Sequence, residues 1–208
     1  MKAKEKLSTC QASACVPRKG AAKRVFDTAM ELFYKRGIRA VGVDEIVTQA
    51  GVTKPSLYRN FASKDDLVAA CLEGFAEDSW AEIDAVLLAA DKNPRAQLRA
   101  FVTYYADKMS KPDFRGCPMS NTAVEFPEPG HPGRVIVENC KVELRSRLVE
   151  LTRQLDVREP DALADGLLML IEGAYSTHHV FGTQGPAQSL VGCADALIKA
   201  HEAVSQRA

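Results

Sequence analysis

The stretch from Val43 to Phe61, with Ser63 and Lys64 just beyond it, gathers side chains that suit one chemistry. Lys54 carries an ammonium that can bond guanine O6 and N7 in a major groove. Pro55 and the Tyr58 ring offer apolar surface to thymine methyls. Ser56, the Tyr58 hydroxyl, Arg59, Asn60 and Lys64 are suited to phosphate oxygens, which set register on a duplex without reading its sequence. Gly42, Val43 and Thr53 flank these groups at two helix starts, and Arg18, Lys19, Lys23 and Arg24 could add contacts from an arm and a first helix. The layout is two short helices joined by a tight turn at Ala50-Gly51-Val52, as in a helix-turn-helix.

A second set of candidates lies further along. Tyr104, Tyr105, Cys117, Phe126, Tyr175, His178 and Phe181 include aromatic and polar groups that fall on or near apolar stripes. A mostly apolar cavity with a few polar tips is what a small-molecule site requires. Cys117, in Arg115-Gly-Cys-Pro-Met119, stands at the expected start of a short helix beside a cation, the setting of a thiol that senses electrophiles or oxidants. A cysteine-dependent enzyme would need Cys117 with His131 or His178 as its base. No Ser-His-Asp signature, phosphate loop or metal-ligand spacing accompanies them, so no cofactor or metal is expected. A DNA-binding architectural protein with no ligand is the third class.

These groups need helices to hold them. Ala22, Val25, Phe26, Ala29, Leu32 and Phe33 recur at helical spacing, and Gly37 stands where a left-handed cap would end that helix. The next helix starts near Gly42, with Glu45 placed for a capping box, and Thr53 or Lys54 caps the third. Leu57 and Phe61 face inward there, while Pro55 falls in the first turn, where its missing N–H costs little. Ser63-Lys-Asp-Asp66 has capping-box spacing and opens a long helix to about Ala90. Further stripes run through Leu98 to Met109, Val137 to Leu155, about 161–181 and about 187–204. Five of the ten prolines lie between Lys111 and Gly133. This predicts an irregular crossover with room for a short helix from Met119 to Phe126, serving as a connection or as a cavity wall. No run alternates with period two, so the chain reads as all-α, with about nine helices.

The length of 208 residues allows one or two domains. Residues 1–18 read as a disordered basic tail, 19–66 as the helix-turn-helix DNA-binding domain, and 67–208 as an effector-binding and dimerisation domain. The zero net charge hides a split. Residues 1–64 hold 13 lysines and arginines against 5 acidic residues, and residues 65–208 hold 14 against 22. A polyanion would meet the first part and be repelled by the rest. The six cysteines show no CxxC spacing, so they read as reduced core residues rather than a disulfide or zinc framework. With no apolar span and no signal-peptide core, a soluble cytoplasmic protein is expected.

The string Gly51-Val-Thr-Lys-Pro-Ser-Leu-Tyr-Arg-Asn-Phe61, with Ser63, Lys64 and Leu67 after it and Leu32-Phe33 and Gly37 before it, resembles the tetracycline-repressor (TetR) family of bacterial transcriptional regulators. The resemblance is strong over about residues 20–70. It implies a homodimer that binds a palindromic double-stranded operator, most simply as a repressor, and leaves it when a small molecule enters the C-terminal domain. Dimerisation is expected through the last two helices, whose Gly166, Gly173, Ala174, Ala194 and Ala196 permit close approach. A tilt of the long Lys64–Ala90 helix would change the spacing of the two readers. Two departures stand out. Val41-Gly42 replaces the family's frequent Thr-Ser, removing a hydroxyl that would cap the second helix or touch phosphate. Lys54 precedes a proline, which biases it away from helical geometry.

Overall fold

The computed structural model describes residues 18–202; the tail through residue 17, with Cys10 and Cys15, lies outside the described residues. Among the described residues there are nine α-helices and no strand. They are α1 (Gly20–Arg36), α2 (Val43–Gln49), α3 (Lys54–Tyr58), α4 (Lys64–Ala89), α5 (Pro94–Met109), α6 (Pro118–Glu125), α7 (Pro132–Thr152), α8 (Pro160–Phe181) and α9 (Leu190–His201). Two short 3-10 turns, Gly182–Gln184 and Pro186–Ser189, join α8 to α9. No helix among the described residues is long and apolar enough to cross a membrane.

Two of the five prolines between 111 and 133 mark helix starts. Pro118 and Pro132 occupy the first positions of α6 and α7, as Pro94 and Pro160 do in α5 and α8. The ring's fixed φ suits that position, and no intrahelical donor is lost there. The helix expected from Val137 therefore begins five residues earlier, and the irregular crossover is shorter than the proline count suggested. His131 caps α7, its Nδ1 accepting from the Gly133 N–H at 3.1 Å.

Three expected caps take a different form. Glu45 does not reach back to the start of α2; its carboxylate instead pairs with Arg36 and accepts from Gln49. Ser63 does cap α4, accepting from the Asp66 N–H at 3.0 Å, but Asp66 is too short to reach the Ser63 backbone and accepts from its hydroxyl at 2.9 Å. Gly37 has a positive φ of 84° with an extended ψ of 154°, so it turns the chain without forming a left-handed helical cap.

Two cores form. One joins α4, α5, α7, α8 and α9 around Phe101, Leu148, Leu163, Leu167 and Ile171. The other joins Val25, Ala29, Ile46 and Leu57 of the first three helices to Leu67, Val68, Cys71 and Leu72 of α4. Met119 of α6 and Val137 of α7 belong to this second core, and Cys117 packs against both. The apolar floor beneath the helix-turn-helix is thus laid partly by the other half of the chain. Gly74 lets α1 and α4 approach closely: a Cβ there would lie 2.7 Å from the Phe26 ring.

Candidate nucleic-acid interface and effector cavity

The helix-turn-helix is held by a few defined bonds. Thr53 caps α3 by accepting from the Ser56 N–H at 3.4 Å. Arg24 of α1 donates to the Ala50 carbonyl at 3.1 Å, satisfying the C-terminal end of α2. Leu57 is fully buried and Phe61 nearly so, which fixes the rotation of α3. With that face inward, Thr53, Lys54, Pro55, Tyr58, Arg59 and Asn60 are exposed, together with Gly42 at the head of α2; Val43 and Ser56 are half-buried. Nearly all the sequence candidates for duplex contact are therefore exposed or half-buried.

Two of the cations are already engaged. Lys54 Nζ lies 2.7 Å from Asp44 on α2, and that hydrogen bond raises its pKa, so it stays charged. A phosphate or base edge would compete with Asp44 for it. Lys64 is half-buried and donates to the Ile38 carbonyl at 2.7 Å, with its ammonium 5.8 Å from the Phe33 ring. Burial lowers its pKa. Its resting role is to tie the head of α4 to the α1–α2 link.

A cavity of about 350 Å³ lies among α1, α4, α5, α6, α7 and α8, within the range of small-molecule sites. Tyr104, Tyr105, Cys117 and Tyr175 line it, together with Tyr34, Phe75, Trp80 and Phe114. The other three candidates are elsewhere. Phe126 stacks on His131 at 4.2 Å, His178 packs edge-on against Phe114 at 4.9 Å, and Phe181 is exposed at the end of α8. Sequence reasoning missed Lys141 and Glu172, which form an ion pair across α7 and α8 in the cavity wall. Their signal was a charge next to an apolar stripe on each helix, which several other residues of α7 share.

Lys141 also sets the surroundings of Cys117, its Nζ lying 3.5 Å from the sulfur. The charge beside the thiol comes from Lys141, not from the expected Arg115. Burial acts to lower the Lys141 pKa, but Cys117 and Glu172 outweigh it and raise it. Neither His131 nor His178 is hydrogen-bonded to Cys117, so the arrangement of a nucleophile with a histidine base is not assembled.

A chain of contacts runs from the cavity to the helix-turn-helix through α6. Ser120, on the first turns of α6, donates to Glu172 at 2.8 Å. At the other end of α6, the Glu125 carboxylate accepts from the Ile38 N–H at 3.1 Å and the Arg39 N–H at 2.8 Å, in the link between α1 and α2. Tyr34 of α1 adds a bond to the same region, accepting from the Arg115 N–H at 2.8 Å.

The outer surface of α8 exposes Met169, Gly173 and Val180 along one side. The small residues of the last two helices do not act alike. A Cβ on Gly166 would lie 2.8 Å from Leu197, so Gly166 serves the packing of α8 on α9 within one chain, and Ala174 and Ala194 are buried. Gly173 is open.

Comparison with known proteins agrees with this geometry. Residues 25–71 match the family described as bacterial regulatory proteins, tetR family. The HTH-type transcriptional repressor KstR2 of Rhodococcus jostii is 36% identical over 86 residues, which cover 41% of this chain and 42% of the relative. The HTH-type transcriptional activator FasR of Mycolicibacterium smegmatis is 36% identical over 92 residues, covering 44% and 42%. The chain thus spans less than half the length of these two curated relatives. Over nearly the whole length, a crystal structure of a TetR-family transcriptional regulator from Streptomyces coelicolor superposes with a TM-score of 0.84 at 29% identity, covering 88% of this chain and 96% of that one.

Proposed function

We propose that this chain, whose residues 25–71 match the tetR family of bacterial regulatory proteins, is a ligand-responsive transcriptional regulator of that family that binds a palindromic operator as a homodimer. Lys54 and Tyr58 read the groove; Gly42, Val43, Thr53, Pro55, Ser56, Arg59, Asn60 and Lys64 supply the surrounding contacts. The effector occupies the cavity lined by Tyr104, Tyr105, Cys117 and Tyr175. A repressor released by its effector is the favoured form. With a repressor and an activator among its relatives, the sign of regulation follows from where the operator lies. The division at residue 66 is functional, since the head reads DNA and the remainder senses and dimerises.

The observation that carries this reading is the pair of attachments of α6. One end is bonded to Glu172 in the cavity wall and the other holds the backbone beside the reading helices. A ligand that competes for Lys141 or Glu172 shifts Ser120, and α6 transmits the displacement to Ile38 and Arg39. A coupling of about 1–3 kcal/mol changes operator affinity about 5- to 150-fold, which two hydrogen bonds at one end of a rigid helix can carry. The dimer forms through α8 and α9, with Met169 and Val180 meeting the second copy across a two-fold axis. That pairing holds two copies of α3 at the spacing of successive grooves, about 34–36 Å apart or more.

The test is selection of bound fragments from sheared genomic DNA, followed by titration of the enriched sequence. Lys54→Ala should weaken binding and flatten its salt dependence. A monomer that retains no DNA at low salt would overturn the proposal. The alternative of a thiol-sensing regulator places the same Cys117 in the same cavity and is compatible with this scheme. An enzyme is not favoured, since Cys117 is bonded to a lysine and no base is assembled beside it.

A further inference from the structure

The cavity holds two thiols in different settings. Cys140 lies in the wall, and burial pushes its pKa up to about 11, which leaves it a protonated and poor nucleophile. Cys117 has the Lys141 ammonium 3.5 Å from its sulfur. An ammonium at that distance can donate to the sulfur and to any oxygen that gains charge beside it.

The rest of the wall constrains what the sulfur would meet. Tyr105 and Tyr175 pack on each other with ring centroids 5.7 Å apart, and Phe114 lies edge-on to Tyr175 at 4.8 Å, which makes an aromatic wall against which a flat apolar body can lie. The hydroxyls of Tyr105 and Tyr175, two residues of the cavity wall, form no hydrogen bond to any described residue. Burial raises both phenol pKa values, so both remain donors. Hydroxyl donors on the cavity wall without protein acceptors, beside a sulfur and an ammonium, match a ligand with a carbonyl oxygen next to an electrophilic carbon.

We propose that Cys117 captures an α,β-unsaturated carbonyl compound with an aromatic or comparably flat apolar tail, and that this adduct is the effector-bound state. The proposal rests on the reading of the cavity as the effector site. The sulfur forms a bond to the β-carbon. The π pair of the C=C bond moves toward the carbonyl to give an enolate, which Lys141 and a tyrosine hydroxyl stabilise by donation. The proton lost by the thiol ends on the α-carbon. Nothing leaves and no oxidant is needed. Because Cys117 is the residue that precedes α6, the adduct is attached to the helix that reaches Ile38 and Arg39.

The probe is 4-phenylbut-3-en-2-one, with 4-phenylbutan-2-one as its saturated counterpart, on the full chain. Peptide mapping locates the adduct, and Trp80, the single tryptophan and a cavity-wall residue, reports occupancy by fluorescence. The enone should add one equivalent at Cys117 at least tenfold faster than at the exposed Cys193. Lys141→Met should slow the Cys117 reaction at least tenfold and leave the Cys193 rate alone. Lys141→Arg, which keeps the charge if the methionine variant unfolds, should retain most of the rate. Reaction first at Cys193 or Cys140, or an unchanged rate in a folded Lys141→Met, overturns the proposal. If both ketones perturb Trp80 but no adduct forms, covalent capture falls and the effector cavity stands. If neither ketone perturbs Trp80 and no adduct forms, the cavity reading falls with it.

Discussion

Replacing Glu125 by alanine removes both hydrogen bonds that the end of α6 makes to the α1–α2 link, at 3.1 and 2.8 Å. Hydrogen bonds to a charged group contribute about 1.5–3 kcal/mol when buried. Glu125 is only half-buried, and water can reach the freed N–H groups, so about 1 kcal/mol for each bond is the appropriate figure. A carboxylate at the C-terminal end of a helix also opposes the helix dipole by a few tenths of a kcal/mol, about 0.3–1. The net loss is therefore about 1–2 kcal/mol. For a chain of this length, that corresponds to a fall of about 2–8 °C in Tm.

Stability alone would not separate a structural bond from a transmitting one, so two further readouts are needed. Amide hydrogen exchange at Ile38 and Arg39 should speed up in Glu125→Ala, while amides of Leu163 and Leu167 in the other core keep their protection. Operator affinity measured with and without the enone adduct should then differ by much less than in the parent chain, because the lever has lost its grip. Glu125→Gln keeps acceptor capacity without the charge and should fall between the two. A Glu125→Ala chain that melts lower yet keeps the full ligand response would refute the assignment of α6 as the route. A chain with unchanged exchange at both amides would refute the bonds themselves.

Three other substitutions or conditions probe the same structure. Gly37→Ala should destabilise by about 1–3 kcal/mol in a chemical melt, because Gly37 has φ of 84° and an added Cβ would lie 3.1 Å from Glu125 Oε1. Gly42→Ser should raise stability by a few tenths of a kcal/mol, about 0.3–0.5, because Gly42 has φ of −89°, nothing lies within 4 Å of its Cβ, and a hydroxyl would cap α2; the same hydroxyl should tighten operator binding in a titration. Glu82 carries the acid prediction. Burial would raise its carboxyl, but hydrogen bonds from Lys108 and Tyr104 outweigh it and lower the pKa below 4.5. A carboxyl lowered on folding adds stability that is complete above its unfolded pKa and vanishes as pH falls through the folded one. With Glu82 half-exposed, the contribution is on the order of a few tenths of a kcal/mol. Urea melts of Glu82→Gln against the parent should converge as pH drops below that range and separate above it.

The sequence announced its DNA-reading head clearly because that head is built from local signals. Thr53, Pro55 and Gly51 are cap and turn residues whose effect is exerted within four positions, and Leu57 and Phe61 are an inward pair one helical turn apart. The cavity was legible in part for the same reason. Tyr105 lies on a helical stripe and Tyr104 and Tyr175 stand next to one, and a stripe predicts which face goes inward. Lys141 and Glu172 escaped because their partnership joins residues 31 apart in sequence, on two helices whose rotation only the packed core fixes. Glu125 escaped for a sharper reason: it is bonded to backbone N–H groups 86 and 87 residues away, and a backbone donor has no side-chain identity to find. The misread prolines follow from ambiguity in the residue itself, since proline both ends one segment and opens the next helix.

The two routes by which a ligand could move the reading helices make different demands on this fold. A tilt of α4 as a rigid pendulum must shear the packing of Leu67, Val68, Cys71 and Leu72 against α1–α3, since those residues share the core of the DNA-reading head. Close-packed interiors resist such shear, and moving four buried side chains out of register costs several kcal/mol, about 1–3 for each poorly repacked site. Displacing α6 asks less. Of its residues, Met119 and Thr122 are buried and only Met119 joins that core, while Val124 is exposed and Glu125 is half-buried. Its grip on the head is one core side chain, Met119, with Ala123 packed beside it, and two polar bonds at the far end, which can lengthen without opening a cavity. A ligand with 1–3 kcal/mol of differential affinity can therefore drive the α6 route by itself, and α4 needs only to follow as far as its intact contacts allow.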